Sequence, residues 1–170
     1  MDFRLANMND LTRLKEVYRD IITNMNKENI HIWNDIYPLE VFYHDIVNKR
    51  LYILEEDNEI ASAFVLSNSS EGADYMKWNH KNQSVRYIDR FAVNVHYLRK
   101  GIGSIMIQKA IALAQDQSIE CLRLFVVDIN KPAINLYVKN GFIKVDGSYD
   151  QIINDGPVLH EWAFELDITK

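Results

Sequence analysis

The residues Val95–Ser104, Val-His-Tyr-Leu-Arg-Lys-Gly-Ile-Gly-Ser, place two glycines beside two cations in a short loop. The run before them, Tyr87-Ile88-Asp89-Arg90-Phe91-Ala92-Val93, reads as a strand. After them Ile102, Ile105, Met106, Lys109, Ala110, Leu113 and Ala114 recur mostly at three- and four-residue spacing, the period of a helix. Strand, glycine loop and helix start together suit an anion. Glycines let the backbone approach a ligand, helix-initial N–H groups point outward unpaired, and the helix dipole favours negative charge. Arg99 and Lys100 add positive charge, so phosphate or pyrophosphate is the leading ligand. By itself the fragment reads equally as plain turn chemistry. It lacks the third glycine of a dinucleotide fingerprint and the Gly-Lys-Ser/Thr end of a P-loop.

Other reactive side chains give no comparable pattern. His31, His44, His80, His96 and His160 show no metal-ligand spacing, so no metal is expected. Cys121 opens an apolar strand, the setting of a buried and inert thiol. Lys27, Lys49-Arg50 and the lysines from Lys77 to Lys81 are scattered as a solvated surface would scatter them.

The elements that would position these residues follow from periodicity. Phe3-Arg4-Leu5 reads as a short strand, and Asn9 or Asp10 as the cap of a helix whose Leu11, Leu14, Val17, Tyr18, Ile21 and Ile22 share a face. The polar stretch Asn24–Asn29 ends that pattern. His31–Pro38 mixes aromatic and polar residues without a period, which suits either a packed cover or a substrate wall. Pro38 opens a second helix with Val41, Phe42, Asp45 and Ile46 near one face. Leu51–Glu55 and Ile60–Leu66 are strands about a hairpin turn at Glu56–Glu59, and Asn68–Gln83 is a loop with one helical turn at most. Val85–Val93 is a strand, the following helix runs to about Ser118, and Leu122–Val127 is a strand buried on both faces. Pro132 starts a helix that ends at Asn140-Gly141. Phe142–Val145 and Leu159–Leu166 close the chain, joined by a polar loop carrying Asp146-Gly147 and Asp155-Gly156-Pro157. The order βαα-βββ-αβαββ predicts an α/β (α+β) fold, a mixed central sheet with helices on both faces. No repeat or linker divides residues 1–170, so a single domain is expected.

Composition limits the function classes. At 170 residues, 48% hydrophobic and 25% charged, the chain has the makings of an ordinary folded core. A net charge of -5 argues against general nucleic-acid binding and fits a cationic small substrate. One cysteine, no apolar leader after Met1 and no transmembrane run point to a reducing, cytoplasmic setting.

Two segments, taken in order, resemble one family. Ile88–Ala114 resembles the pyrophosphate-binding motif of the GNAT (Gcn5-related) N-acetyltransferases. Asn130-Lys131-Pro132-Ala133-Ile134-Asn135-Leu136-Tyr137-Val138-Lys139-Asn140-Gly141-Phe142 resembles that family's Asn-x-x-Ala-x-x-x-Tyr-x-x-x-Gly-Phe motif. The element order matches over nearly the whole chain. There is one departure: the family often has Arg or Gln where Leu98 stands, and often another glycine where Arg99 stands.

The resemblance implies acetyl-CoA as cofactor and direct transfer to a primary amine in a ternary complex. It implies that Phe91, Ala92 and Val93 hold the pantetheine arm with backbone groups, and that one N–H stabilises the carbonyl oxygen. Arg99, Lys100, Gly101, Ile102, Gly103 and Ser104 would cradle the pyrophosphate. Asn130 would hydrogen-bond the arm, and Ala133 would leave room beside it. Tyr137 would be the general acid, since a phenol titrating near pH 10 stays protonated at neutral pH; the bland reading is a core aromatic. Asp89 is the candidate base, directly or through water, and reads equally as a partner for Arg86. Strand alternation would put it on one face with Tyr87, Phe91 and Val93. Trp33, Asp35 and Tyr37 fall where the family builds its acceptor site and would suit a cationic amine, or would form a packed lid. The acceptor would be a small-molecule or peptide amine, with neither nucleic acid nor membrane as partner; a homodimer is compatible. Rival functions are a CoA-binding sensor or interaction module without turnover, a protein N-terminal or lysine acetyltransferase, and a protein using the same turn for another pyrophosphate nucleotide.

Overall fold

The computed structural model describes residues 1–152 and 156–169. Asp155, expected in the last polar loop, lies outside them. The chain divides into a unit of residues 1–66 and 89–109 and a unit of residues 67–88 and 110–170.

In the first unit, β1 (Asp2–Leu5) pairs antiparallel with β2 (Leu51–Glu56), which pairs antiparallel with β3 (Glu59–Ser67). The β2–β3 hairpin turns on Asp57-Asn58, both left-handed at φ 51 and 63. That is the type I′ geometry whose twist matches the strands, and Asp and Asn are the non-glycine residues that tolerate it best. Helix α1 (Leu11–Lys27) buries Leu14, Val17, Tyr18, Ile21 and Ile22, the face its periodicity predicts. Its entry differs from expectation. Asn7 is the cap, accepting from Asn9 N at 2.9 Å, and Asp10 Oδ2 returns the favour by accepting from Asn7 N at 2.7 Å. This reciprocal capping box opens a single 3-10 turn, Met8–Asp10, ahead of α1, and Asp10 itself makes no capping bond to α1. Helix α2 (Phe42–Val47) is short and follows a 3-10 turn after Pro38. Leu14, Tyr18, Phe42, Ile53 and Ala63 lie at the centre of this unit's core, with the Tyr18 and Phe42 rings edge-on at 4.6 Å.

In the second unit, β5 (Cys121–Val127) pairs antiparallel along its whole length with β8 (Val158–Asp167). Two short strands, β6 (Ile143–Lys144) and β7 (Tyr149–Ile152), also pair antiparallel with β8. Strand β7 lies in the stretch expected to be loop; its partner β8, not its own brief pattern, makes it a strand. Met76, Trp78, Tyr87, Val145 and Ala163 form this unit's apolar cluster.

Strand β4 (Val85–Val93) and helix α3 (Ile102–Asp116) run through both units. The first residues of β4 pair in parallel with β5, Val85↔Cys121 to Tyr87↔Arg123. The strand order is β1-β2-β3-β4-β5-β8-β6, with β7 on β8. This is the mixed sheet flanked by helices that the element order predicts. No helix among the described residues is long and apolar enough to cross a membrane.

Candidate active site

The glycine turn follows β4 directly, and a buried asparagine fixes where it begins. Asn94 is 2% exposed; its N–H donates to Ala61 O at 2.9 Å and its Nδ2 to Ile60 O at 2.8 Å. Its Oδ1 accepts from His96 N at 3.1 Å, which starts a 3-10 turn over Val95–Tyr97. Arg99 and Gly101 then both take left-handed backbone, φ 61 and 77. Position 99 is where the resemblance leads one to expect glycine, and its φ supplies the reason: glycine adopts that conformation without penalty, whereas arginine is strained there. A Cβ built on Gly101 meets nothing within 4 Å, so the turn is open on that side. Leu98, Arg99, Lys100 and Gly101 are exposed, while Ile102 and Gly103 are buried in the first turn of α3. The first intrahelical bond runs from Ile105 N to Gly101 O at 3.1 Å, leaving the preceding helix-initial N–H groups outside the ladder.

Upstream, β4 carries an interruption. It pairs with β5 from Val85↔Cys121 to Tyr87↔Arg123, and three residues later Arg90 is left-handed at φ 51. A left-handed residue breaks the pleat, so Asp89 and Phe91 do not continue one uninterrupted alternation, contrary to the simple strand reading. Neighbours hold the kink in place. Tyr18 Oη donates to Arg90 O at 2.5 Å, and Ser62 Oγ to Ala92 O at 2.7 Å.

The Arg90 side chain turns to a buried carboxylate. Asp45 is fully buried on α2; its Oδ1 accepts from Arg90 Nη2 at 2.9 Å and from Arg50 Nε at 2.7 Å. Arg90 Nε also lies 2.9 Å from Asp45 Oδ2, out of line for a hydrogen bond, so the attraction there is Coulombic. Arg90 Nη1 donates to Tyr37 Oη at 3.2 Å. Burial works against the Arg90 charge, yet Tyr37, Asp45 and Asp89 together hold it above the ordinary guanidinium value. Arg90 therefore links β4, α2 and the 31–38 loop.

That loop is organised by Asn34, whose Oδ1 accepts from Ile36 N at 2.8 Å and Tyr37 N at 2.9 Å. Of the three residues expected to face the acceptor, Tyr37 is half-buried against Arg90, Trp33 packs on Tyr18 with ring centres 5.6 Å apart, and Asp35 is exposed. Asp89 is half-buried, and its charge is felt by Arg90.

In the second unit, helix α4 (Lys131–Lys139) is closed at both ends by the residues of the Asn…Tyr…Gly-Phe motif. Asn130 Oδ1 accepts from Ala133 N at 3.3 Å as the N-cap, and Pro132 fills the first turn. At the other end Phe142 N donates to Tyr137 O and Gly141 N to Val138 O, both at 3.1 Å, with Gly141 at φ 92. This is a Schellman stop, and its accompanying apolar contact is the Tyr137–Phe142 ring pair at 5.8 Å. Tyr137 is 6% exposed, on the last turn of α4.

Asp45, Arg90, Tyr18, Ser62 and Asn94 were not singled out from the sequence as site residues. One signal was present: Asp45 shares a helical face with Val41, Phe42 and Ile46, and an acid on an apolar face implies a buried cation.

The model of the Acetyltransferase (GNAT) family matches residues 15–142. YwnH of Bacillus subtilis (strain 168), provisionally a phosphinothricin acetyltransferase, is 26% identical over 148 residues, covering 84% of this chain and 83% of its own. The thialysine N-epsilon-acetyltransferase of Bos taurus is 33% identical over 96 residues, 56% of this chain and 53% of its own. Among solved structures, yncA of Salmonella typhimurium, provisionally an acetyltransferase and solved with its cofactor acetyl-CoA, shares the fold at a TM-score of 0.66 and 17% identity, over 99% of this chain and 94% of that one. The chain belongs to the GNAT family and is an N-acetyltransferase.

Proposed function

We propose that residues 1–170 work as one domain that transfers an acetyl group from acetyl-CoA to a primary amine of a small molecule, by direct attack in a ternary complex. The observation that carries the reading is the open, doubly left-handed turn at Arg99–Gly101 leading into the first turn of α3. Bound there, acetyl-CoA supplies an activated acetyl thioester. The N–H groups of Ile102, Gly103 and Ser104 receive the pyrophosphate, with Arg99 and Lys100 adding charge. The backbone of Phe91, Ala92 and Val93 is assigned to the pantetheine arm, one N–H polarising the carbonyl, while Ser62 Oγ steadies the strand by donating to Ala92 O. Asn130 and Ala133 line the arm. Tyr137 gives its proton to the departing thiolate, and Asp89 takes a proton from the amine or orients the water that does. Trp33, Asp35 and Tyr37 meet the acceptor. The single, buried Cys121 suits a reducing cytoplasm.

The test is a thermal shift with acetyl-CoA, CoA, ATP and NAD, followed by free-thiol release over a panel of small amines and peptides. Stabilisation by the CoA pair and thiol release with small amines are expected. Stabilisation by ATP or NAD alone overturns the reading; CoA binding without thiol release from any amine converts it to a sensor module.

Two substitutions probe named roles. Gly103→Trp puts a bulky side chain at the first turn of α3 and is expected to weaken CoA binding at least tenfold; wild-type affinity by calorimetry would place the phosphates elsewhere. Asp89→Asn removes a proton acceptor while keeping the shape. The rise of rate with pH is expected to flatten, and an unaltered pH–rate profile would leave Asp89 with a structural role only.

A further inference from the structure

One face of the second unit concentrates ligand-capable groups that acetyl transfer does not use. The register Cys121↔Asp167 and Arg123↔Glu165, with side chains alternating along each strand, puts these four side chains on the same face of β5 and β8. The 76–80 segment covers them. Arg123 Nη2 donates to His80 O at 2.7 Å, its guanidinium lies 4.1 Å from the Trp78 ring centre, and Asn79 N donates to Glu165 Oε1 at 2.8 Å. This brings one atom each of His80, Cys121 and Glu165 within 4.8 Å of one another.

The polar atoms in this cluster are incompletely satisfied. Glu165 is 1% exposed, and its Oε2 accepts no hydrogen bond; the nearest cation, Arg123 Nε, is 3.7 Å away. His80 Nδ1 is buried, likewise without a hydrogen bond, and stands 3.3 Å from Glu165 Oε1. That separation equals the edge of a tetrahedron with metal–ligand bonds of about 2.0–2.1 Å, roughly 3.3 Å. The other ring nitrogen, Nε2, faces Asp167 Oδ2 at 3.6 Å. Imidazole ligands in metal sites commonly have a carboxylate on their second nitrogen.

We propose that His80 Nδ1, Cys121 Sγ and the Glu165 carboxylate bind one zinc ion, with Asp167 orienting the His80 ring and water in the fourth position. Zn²⁺ takes this mixed N, S and O set readily, and the half-exposed His80 leaves a way in. On binding, the Cys121 S–H bond breaks, the thiolate bonds to zinc and the proton passes to water. The charges then cancel: zinc and Arg123 contribute three positive, and thiolate, Glu165 and Asp167 three negative. The ion would pin the 76–80 segment to β5 and β8. No histidine–cysteine spacing announces such a site, because the three ligands come from separate parts of the chain.

The full-length protein, stripped with chelator, is titrated with Co²⁺ and then with Zn²⁺. One tightly bound Co²⁺ per chain is expected, with tetrahedral d–d bands and a thiolate-to-cobalt charge-transfer band, both erased by one equivalent of Zn²⁺. Cys121→Ser is expected to lose the charge-transfer band and at least about 100-fold in affinity, more than outer partners usually contribute. Glu165→Gln, which keeps the size and the contact with Asn79, should weaken binding without abolishing the band. A wild-type protein that shows no charge-transfer band with Co²⁺, or Co²⁺ binding that does not weaken in Cys121→Ser, overturns the proposal.

Discussion

Asp45→Asn is expected to lower the free energy of unfolding by about 3–5 kcal/mol, read as a lower urea midpoint at an unchanged slope. Asp45 is fully buried and faces Arg90 and Arg50. The Arg50 side chain is 39% exposed, so water compensates much of its loss; that of Arg90 is 12% exposed and has no such recourse. Removing the carboxylate charge leaves the guanidinium in the core beside neutral acceptors, Tyr37 Oη and the new amide oxygen, with the charge of half-buried Asp89 as its remaining counterweight. Adding Arg90→Met to Asp45→Asn should recover part of the loss, because the cation that has lost its buried counter-charge goes with it. A single variant with the wild-type midpoint would mean that Asp45 does not balance Arg90.

Tyr137→Phe is expected to reduce kcat by about 10²–10⁴-fold while leaving the affinity for CoA within twofold, the range typical of a lost general acid. The substitution keeps the ring, its burial and its edge contact with Phe142 at 5.8 Å, so α4 and its stop remain. Only the hydroxyl goes. Steady-state kinetics with calorimetric CoA affinity separates this from damage: equal losses in both would mean that the hydroxyl only binds, and unchanged kcat would take Tyr137 out of the proton-donor role.

What the sequence makes visible is what is local in it. The α1 face, the β2–β3 hairpin, the glycine turn and the Asn130–Phe142 motif are each set by residues a few positions apart, and each is found where the spacing puts it. Asp10 stands at the N-cap position of α1, as its type suggests, but its carboxylate turns back to Asn7 N instead of capping α1, because Asn7 caps a 3-10 turn ahead of the helix that no local pattern announces. Strand β7 was missed because Tyr149–Ile152 owes its extended form to β8. The left-handed Arg90 was invisible, since an arginine carries no mark of positive φ. At the site the same divide holds. The glycine turn and the helix stop after Tyr137 are built from neighbouring residues, whereas the Asp45–Arg90–Tyr37 link joins three separated segments that only the folded chain brings together.

The stop at the end of α4 also works as an angular reference. Each helical residue advances the chain by about 1.5 Å and turns it by about 100°. Between Tyr137 and the left-handed Gly141 stand Val138, Lys139 and Asn140, so the ring stands four residues, about 6 Å and about 400° of turn, ahead of the point where the helix unwinds. Inserting or removing one residue in that interval would turn the ring by about 100° relative to the stop.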